Sequence, residues 1–198
     1  MQEVWRGRLH RWFEPLARRC PLSPNAITGI ALALSLFASA LLYYRLFLWG
    51  MAVLAIGGLA DAFDGIVARV QNKTSKFGDF LDHFCDRISD VFLLSGWLLG
   101  SNVRTEIAIA GIVAIVLNAY IGTQVEATYR ERNYQSVGRG EFVLALVVFP
   151  ILSHILFANG WEALAYGGLR IPEWLTIALV IGATAGVGQR LRLAHRLS

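Results

Sequence analysis

The residues most suited to chemistry in this sequence are aspartates concentrated in one short stretch. Asp61 and Asp64 are three positions apart, and Asp82 and Asp86 are four positions apart. On helices these spacings place each pair on one face, so two helices joined by a short connection can bring the four carboxylates together. Carboxylates with no histidine or thiolate at matching spacing suit hard divalent cations. The stretch therefore predicts a site for two Mg²⁺ or Mn²⁺ ions, an arrangement used for displacement at phosphorus.

Small and basic residues flank these aspartates in a way that would admit a phosphate-bearing ligand. Gly65, Ala68 and Gly78 remove side-chain bulk, and Arg69 offers a guanidinium fork that matches phosphate. A cation transporter or channel is the alternative from another class, because intramembrane aspartates also mark ion paths. That alternative explains the charges but gives no reason for the four flanking residues.

The elements that must carry these residues are indicated by long apolar runs. The chain has 198 residues, of which 56% are hydrophobic and 16% charged, a larger apolar share than one soluble core would bury. Six stretches are long enough, or nearly so, to cross ~30 Å of hydrocarbon: 25–44, 47–68, 78–100, 106–127, 141–159 and 171–189. Residues 1–19 show the pattern of an interfacial amphipathic helix. The sequence thus predicts an all-α integral membrane protein with an interfacial helix over 1–19 and a six-helix transmembrane catalytic domain over 20–198.

The basic residues predict the orientation of these helices. Most of the 18 lysines and arginines fall in the N-terminal segment, the connections between spans two and three and between spans four and five, and the C-terminal tail. The opposite connections carry only Arg45, Arg104 and Arg170. The positive-inside rule therefore places both termini and the aspartates on the cytoplasmic side of the cytoplasmic membrane. Because the basic residues form short clusters between apolar runs, the net charge of +4 favours anionic phospholipid over nucleic acid as a partner.

The stretch from residue 61 to residue 86 resembles the signature of the CDP-alcohol phosphotransferase (phosphatidyltransferase) family. All the specified positions are present: Asp61, Asp64, Gly65, Ala68, Arg69, Gly78, Asp82 and Asp86. The start of the first span, Pro24-Asn25 followed by Thr28, is similar to the Pro-Asn-x-x-Thr motif with which the family contacts the nucleotide. The resemblance implies a homodimeric membrane enzyme that transfers the phosphatidyl or archaetidyl group of a CDP-linked lipid to an alcohol and releases CMP.

The resemblance also implies a role for each of these residues. The metal ligands would be Asp61, Asp64, Asp82 and Asp86. Asp86 would in addition be the catalytic base that deprotonates the attacking hydroxyl. The CDP moiety would be bound by Asn25, Thr28, Asp61, Gly65, Ala68, Arg69 and Gly78.

The alcohol acceptor is less tightly defined by the sequence. Residues 120–141 are similar in layout to the inositol-phosphate branch of the family and its archaeal relatives, but Gly122, Gln124 and Phe142 stand where that branch is expected to have arginines. The candidate acceptor-binding residues in their place are Arg130, Arg132 and Arg139. Inositol phosphate is the first expectation and glycerol phosphate the second. A neutral acceptor such as serine, inositol or glycerol stays open, as does the choice between a diacylglycerol and an archaeol lipid.

Overall fold

A computed structural model describes residues 13–130 and 139–197. The expectations that concern residues 1–12 and Arg132 lie outside the described residues, as does the side chain of Arg139. Residues 13–19 are helical, and six long helices follow: α1 Pro24–Tyr43, α2 Phe47–Val70, α3 Lys76–Gly100, α4 Thr105–Tyr129, α5 Arg139–Ala158 and α6 Ile171–Leu197.

Five of these helices, all except α3, are long and apolar enough to cross a membrane. The chain is therefore a helical multi-pass membrane protein. Helix α3 has 25 residues and so has the length to span the hydrocarbon. Its charged residues lower its hydropathy, and they include Asp82 and Asp86 of the predicted metal site and the ion pair between Arg87 and Asp90.

Two features of the fold differ from the sequence prediction. The last helix does not end at residue 189 but continues to Leu197, since its final turns contain good helix formers and end in basic residues that favour a helix C-terminus. The connection before α6 is not wholly irregular, because Ala165–Tyr166 (β1) and Leu169–Arg170 (β2) form an antiparallel hairpin. Gly167 and Gly168 supply the positive φ angles of its turn, as tight hairpins require.

Helix α1 packs against both α2 and α3, and α4 packs mainly on α6. Gly96 and Gly100 set the distance between α3 and α1, because a Cβ at either position would overlap the carbonyl oxygen of Ser39 or Leu42. Small residues of this kind let membrane helices approach closely. The close approach fixes the position of α3, and hence of its aspartates, relative to α1.

The ends of α1 and α3 that lie near the aspartates are both capped by serine. Ser23 accepts a hydrogen bond from the backbone N–H of Ala26 at 3.2 Å, and Ser75 accepts one from the backbone N–H of Gly78 at 3.0 Å. Each cap satisfies a backbone donor that the helix leaves unpaired. The caps therefore fix the first turns of the two helices, which carry Asn25, Thr28 and Gly78 of the predicted nucleotide site.

The helical residues 13–19 are attached to the end of α2. The Gln71 side-chain amide donates hydrogen bonds to the carbonyl oxygens of Ala17 at 2.8 Å and Cys20 at 2.9 Å. The Phe13 and Phe63 rings also contact each other, with centroids 5.8 Å apart. The N-terminal segment thus supports the part of α2 that carries Asp61 and Asp64.

Candidate active site

The structure brings the predicted aspartates together at the facing ends of α2 and α3. One carboxylate oxygen from each of Asp61, Asp64 and Asp82 can be chosen so that all three lie within 4.8 Å of one another. Asp82 and Asp86 form a second group of the same kind with His83. Asp64 and Asp86 are buried, whereas Asp61 and Asp82 are partly exposed. The two groups share Asp82, as two adjacent metal positions would.

The chemistry of these donors fits divalent cations. Ionised carboxylates at this separation repel one another, and a cation between them removes the repulsion. The oxygen donors of the first group suit Mg²⁺ or Mn²⁺. We did not predict His83 from the sequence. Its position between Asp82 and Asp86 is the feature of the sequence that could have indicated it as a ligand. In the structure, His83 Nε2 lies 3.9 Å from Asp79 Oδ1, one turn earlier.

A buried hydrogen bond links the first helix to this group of aspartates. The Thr28 hydroxyl lies 2.6 Å from Asp64 Oδ2, with 5% of Thr28 and 7% of Asp64 exposed. The same hydroxyl lies 3.1 Å from the carbonyl oxygen of Pro24. Thr28 therefore contacts a predicted metal ligand directly.

The other residues expected to bind the CDP moiety border the aspartates on both helices. A Cβ on Gly78 would lie 3.4 Å from Asn25 Oδ1, so the Asn25 amide is next to the start of α3. On α2, Arg69 Nε donates to the carbonyl oxygen of Gly65 at 2.8 Å, which folds the exposed guanidinium back along its own helix. Ala68 is partly exposed beside Arg69. These residues therefore lie around the start of α3 and the end of α2, where the aspartates converge.

A family model for CDP-alcohol phosphatidyltransferases matches residues 21–186, which include all the predicted aspartates. The chain belongs to the CDP-alcohol phosphatidyltransferase family. It is thus a transferase of phospholipid synthesis, and membership favours the transferase over the transporter alternative.

Two named proteins are similar to this chain. The archaetidylinositol phosphate synthase of Pyrococcus horikoshii is 35% identical over 105 residues, an alignment that covers 53% of this chain and 56% of the relative. The chain therefore spans about half the length of that relative. A putative cardiolipin synthase of Mycobacterium tuberculosis is 29% identical over 87% of this chain and 89% of the relative.

Solved structures of the Mycobacterium tuberculosis phosphatidylinositol phosphate synthase PgsA1 have the same fold. The form with CDP-DAG bound superposes with a TM-score of 0.69 at 22% identity, covering 94% of each chain. The form in complex with manganese and citrate has a TM-score of 0.68 at 23% identity, covering 91% of this chain and 87% of that one.

A second polar cluster in this phosphatidyltransferase surrounds Arg190 on α6. The guanidinium donates to the backbone and side-chain oxygens of Asn118 on α4 and interacts electrostatically with Glu141 and Arg87. A Cβ on Gly122 would lie 3.1 Å from Arg190 Cζ, so the guanidinium lies over Gly122. Arg190 therefore brings a cation next to a position where the inositol-phosphate branch is expected to carry an arginine.

The predicted acceptor residue Arg130 lies at the end of α4. It adopts a left-handed conformation with φ 58°, and its backbone N–H bonds to the carbonyl oxygen of Glu126. Its side chain is exposed. The structure thus places Arg130 at the same end of α4 as Gly122, while the side chains of the other two predicted arginines are outside the described residues.

An apolar cavity of about 280 Å³ lies between α4, α5 and α6. Asn118 and Glu141 are at its polar end, and small residues such as Ala145, Gly182 and Ala183 leave the space. The cavity is thus next to the Arg190 cluster, and the other residues that line it are apolar.

Proposed function

We propose that this phosphatidyltransferase transfers the phosphatidyl or archaetidyl group of a CDP-linked lipid to a polar alcohol and releases CMP. The observation that supports this most strongly is the convergence of Asp61, Asp64 and Asp82 within 4.8 Å, one turn from Asp86. Convergent carboxylates that suit two cations are the standard arrangement for displacement at phosphorus.

Two divalent cations, Mg²⁺ or Mn²⁺, would be held by Asp61, Asp64, Asp82 and Asp86. Bound there, they would neutralise the pyrophosphate and stabilise the leaving CMP. His83 is a further candidate donor because it completes the second group. The manganese complex of the mycobacterial synthase with the same fold supports the choice of these ions.

The catalytic base would be Asp86. It would accept the proton of the acceptor hydroxyl while that oxygen forms a bond to the phosphorus that carries the lipid. The bond between this phosphorus and the oxygen of CMP breaks, and CMP leaves with the electron pair. Asp86 is only 7% exposed, which limits the access of water to the carboxylate during the transfer.

The CDP moiety would be bound between the end of α2 and the start of α3. The proposed residues are Asn25, Asp61, Gly65, Ala68, Arg69 and Gly78, with Thr28 beside them on the first turn of α1. The two glycines allow a large ligand to approach the backbone, and the Arg69 guanidinium carries the charge that pyrophosphate requires. A site at the membrane surface lets the lipid enter laterally and a polar acceptor enter from water.

The acceptor proposed first is a polyol phosphate, inositol phosphate before glycerol phosphate. Arg130, Arg132 and Arg139 remain the candidate phosphate-binding residues, and we propose Arg190 as a fourth. Arg190 is only partly exposed and lies over Gly122, which supports an anion site on the α4 and α6 side of Asp86. Serine, inositol and glycerol are the neutral alternatives.

A lipid that carries a free hydroxyl is a second candidate acceptor, and the apolar cavity favours it. A hydrocarbon chain in this cavity would place an anionic headgroup near Asn118 and Arg190. The similarity to a putative cardiolipin synthase supports the test of a lipid acceptor, and phosphatidylglycerol is a lipid with free hydroxyls.

The acceptor is tested by CMP release with inositol phosphate, glycerol phosphate, inositol, glycerol, serine and phosphatidylglycerol. For a phosphorylated acceptor, replacing Arg190, Arg132 or Arg139 with alanine should raise the acceptor KM at least tenfold, because a charge-assisted hydrogen bond contributes about 1.5–3 kcal/mol. Arg192→Ala is the matched control, since Arg192 is exposed on the same helix. Turnover confined to an unphosphorylated alcohol, with no effect of these arginines, would exclude the polyol phosphate.

We also propose that α3 spans the membrane in addition to the five apolar helices, which gives six spans. The enzyme would lie in the cytoplasmic membrane with both termini in the cytoplasm. In a variant without Cys20 and Cys85, cysteines placed at Lys73 and Ser198 should resist an impermeant reagent added to intact cells. A cysteine at Glu162 in the opposite connection should react. Rapid labelling of the cysteine at position 73 or 198 would show that the proposed orientation is wrong.

The homodimer implied by the family resemblance remains a proposal. Phe77, Phe80 and Phe84 are exposed along one face of α3, and this face is opposite to Asp82 and Asp86 by helical geometry. A partner chain on that face would leave the site open. Light scattering of the purified protein should give twice the mass of the 21.9 kDa chain, whereas the mass of one chain would contradict the dimer.

A further inference from the structure

The hydrogen bond between Thr28 and Asp64 gives Thr28 a function that the family resemblance does not assign. The resemblance places Thr28 beside the nucleotide. In the structure its hydroxyl lies 2.6 Å from Asp64 Oδ2. Both residues are almost fully buried, so this contact is shielded from the water that would weaken it.

The geometry indicates which oxygen receives the hydroxyl proton. A threonine hydroxyl has one proton, and two oxygens lie within reach, Asp64 Oδ2 at 2.6 Å and the Pro24 carbonyl at 3.1 Å. A distance of about 2.6 Å is typical of a hydroxyl that donates to a charged carboxylate, and neutral bonds are longer. The proton is therefore assigned to the bond with Asp64.

The surroundings of Thr28 hold this donor in place. The Ser23 cap and Pro24 fix the first turn of α1, and the adjacent Ile27 packs in an apolar cluster with Ile66 and Val67 of α2. The branched Cβ of threonine also restricts rotation about χ1. The hydroxyl is thus directed at Asp64.

We propose that Thr28 is a positioning residue for the metal site: it holds one oxygen of Asp64 so that the carboxylate is oriented toward Asp61 and Asp82. The proposal rests on the proposed metal site. Thr28 would serve the nucleotide through Asp64 and its cation rather than by direct contact. Hydrogen bonds from residues behind a metal ligand orient the ligand, and their loss typically weakens metal affinity by about 10- to 100-fold.

The test compares two variants of Thr28 by direct titration with Mn²⁺ in the absence of lipid and nucleotide. Thr28→Val keeps the shape of the side chain and removes the hydroxyl, whereas Thr28→Ser keeps the hydroxyl. We expect Thr28→Val to weaken Mn²⁺ binding by about 10- to 100-fold and Thr28→Ser to retain the affinity within about threefold. The titration uses the 198-residue protein in detergent, and electron paramagnetic resonance distinguishes free Mn²⁺ from bound Mn²⁺.

Thr176 provides the matched control for a buried threonine. Its hydroxyl donates to the carbonyl oxygen of Pro172 four residues earlier, and the residue is fully buried, but it lies on α6 away from the aspartates. Thr176→Val should therefore leave Mn²⁺ affinity unchanged. Thermal unfolding of each variant without metal separates a loss of folding from a loss of binding. If Thr28→Val does not fold, Thr28→Cys is used in its place.

A second measurement distinguishes positioning from nucleotide contact. The affinity for CMP, measured with Mn²⁺ at saturation for each variant, should be the same for Thr28→Val and the unaltered protein. Equal Mn²⁺ affinity with weaker CMP binding would overturn the proposal and restore direct contact with the nucleotide. Absence of Mn²⁺ binding by the unaltered protein would instead overturn the proposed metal site itself.

Discussion

Replacing Asp61 or Asp82 with asparagine should lower the rate of CMP release by at least about 10³-fold. Asparagine has the shape of aspartate but lacks its charge, so each variant loses an anionic ligand from the group within 4.8 Å. A bound metal contributes several kcal/mol of transition-state stabilisation, and each 1.36 kcal/mol corresponds to a factor of ten in rate. The measurement is CMP release by purified protein given a CDP-linked lipid and the acceptor panel.

The control for these variants is Asp79→Asn. Asp79 is exposed in the first turn of α3 and lies outside both groups of potential ligands. We expect this variant to keep turnover within about threefold, as most surface substitutions do. If Asp61→Asn and Asp82→Asn elute as folded protein and lose less than tenfold in rate, the assignment of these residues as metal ligands is wrong.

Replacing Asp86 with asparagine should separate chemistry from binding. We expect the turnover number to fall by about 10²- to 10⁴-fold, the usual contribution of a general base. The affinity for the CDP-linked lipid should change only a few-fold, because Asp61, Asp64 and Asp82 still form the first group of ligands. Single-turnover kinetics together with equilibrium binding of the lipid would measure both quantities.

Near-normal turnover of Asp86→Asn would exclude Asp86 as the base. Asp79 would then be the next candidate, which is why Asp79→Asn is measured in parallel. A loss of lipid binding equal to the loss of turnover would instead indicate that Asp86 acts only as a metal ligand.

The convergence of the aspartates could be predicted because it depends on local geometry. Spacings of three and four residues define a helix face, and the short connection between α2 and α3 brings the two faces together. Apart from the end of α6, the helix bounds also agree with the predicted spans to within two residues, because long apolar runs leave few alternatives. The part of the site that lies on the hairpin of α2 and α3 could therefore be predicted from the sequence.

The contacts that join distant segments could not be predicted in this way. Thr28 and Asp64 are 36 residues apart, and Arg190 and Asn118 are 72 residues apart, so only the packing of α1 on α2 and of α4 on α6 shows them. Arg190 was expected in a tail after the last span. It belongs to α6, and Gly122 provides the space for its guanidinium.

The most direct test of the proposed metal-dependent transfer is CMP release before and after removal of divalent cations. The purified protein in mixed micelles receives the CDP-linked lipid and an accepted alcohol, then excess chelator, then Mg²⁺ or Mn²⁺ in excess of the chelator. The account predicts that chelation abolishes CMP release and that either cation restores it. Full turnover in the presence of the chelator would contradict the role assigned to Asp61, Asp64, Asp82 and Asp86.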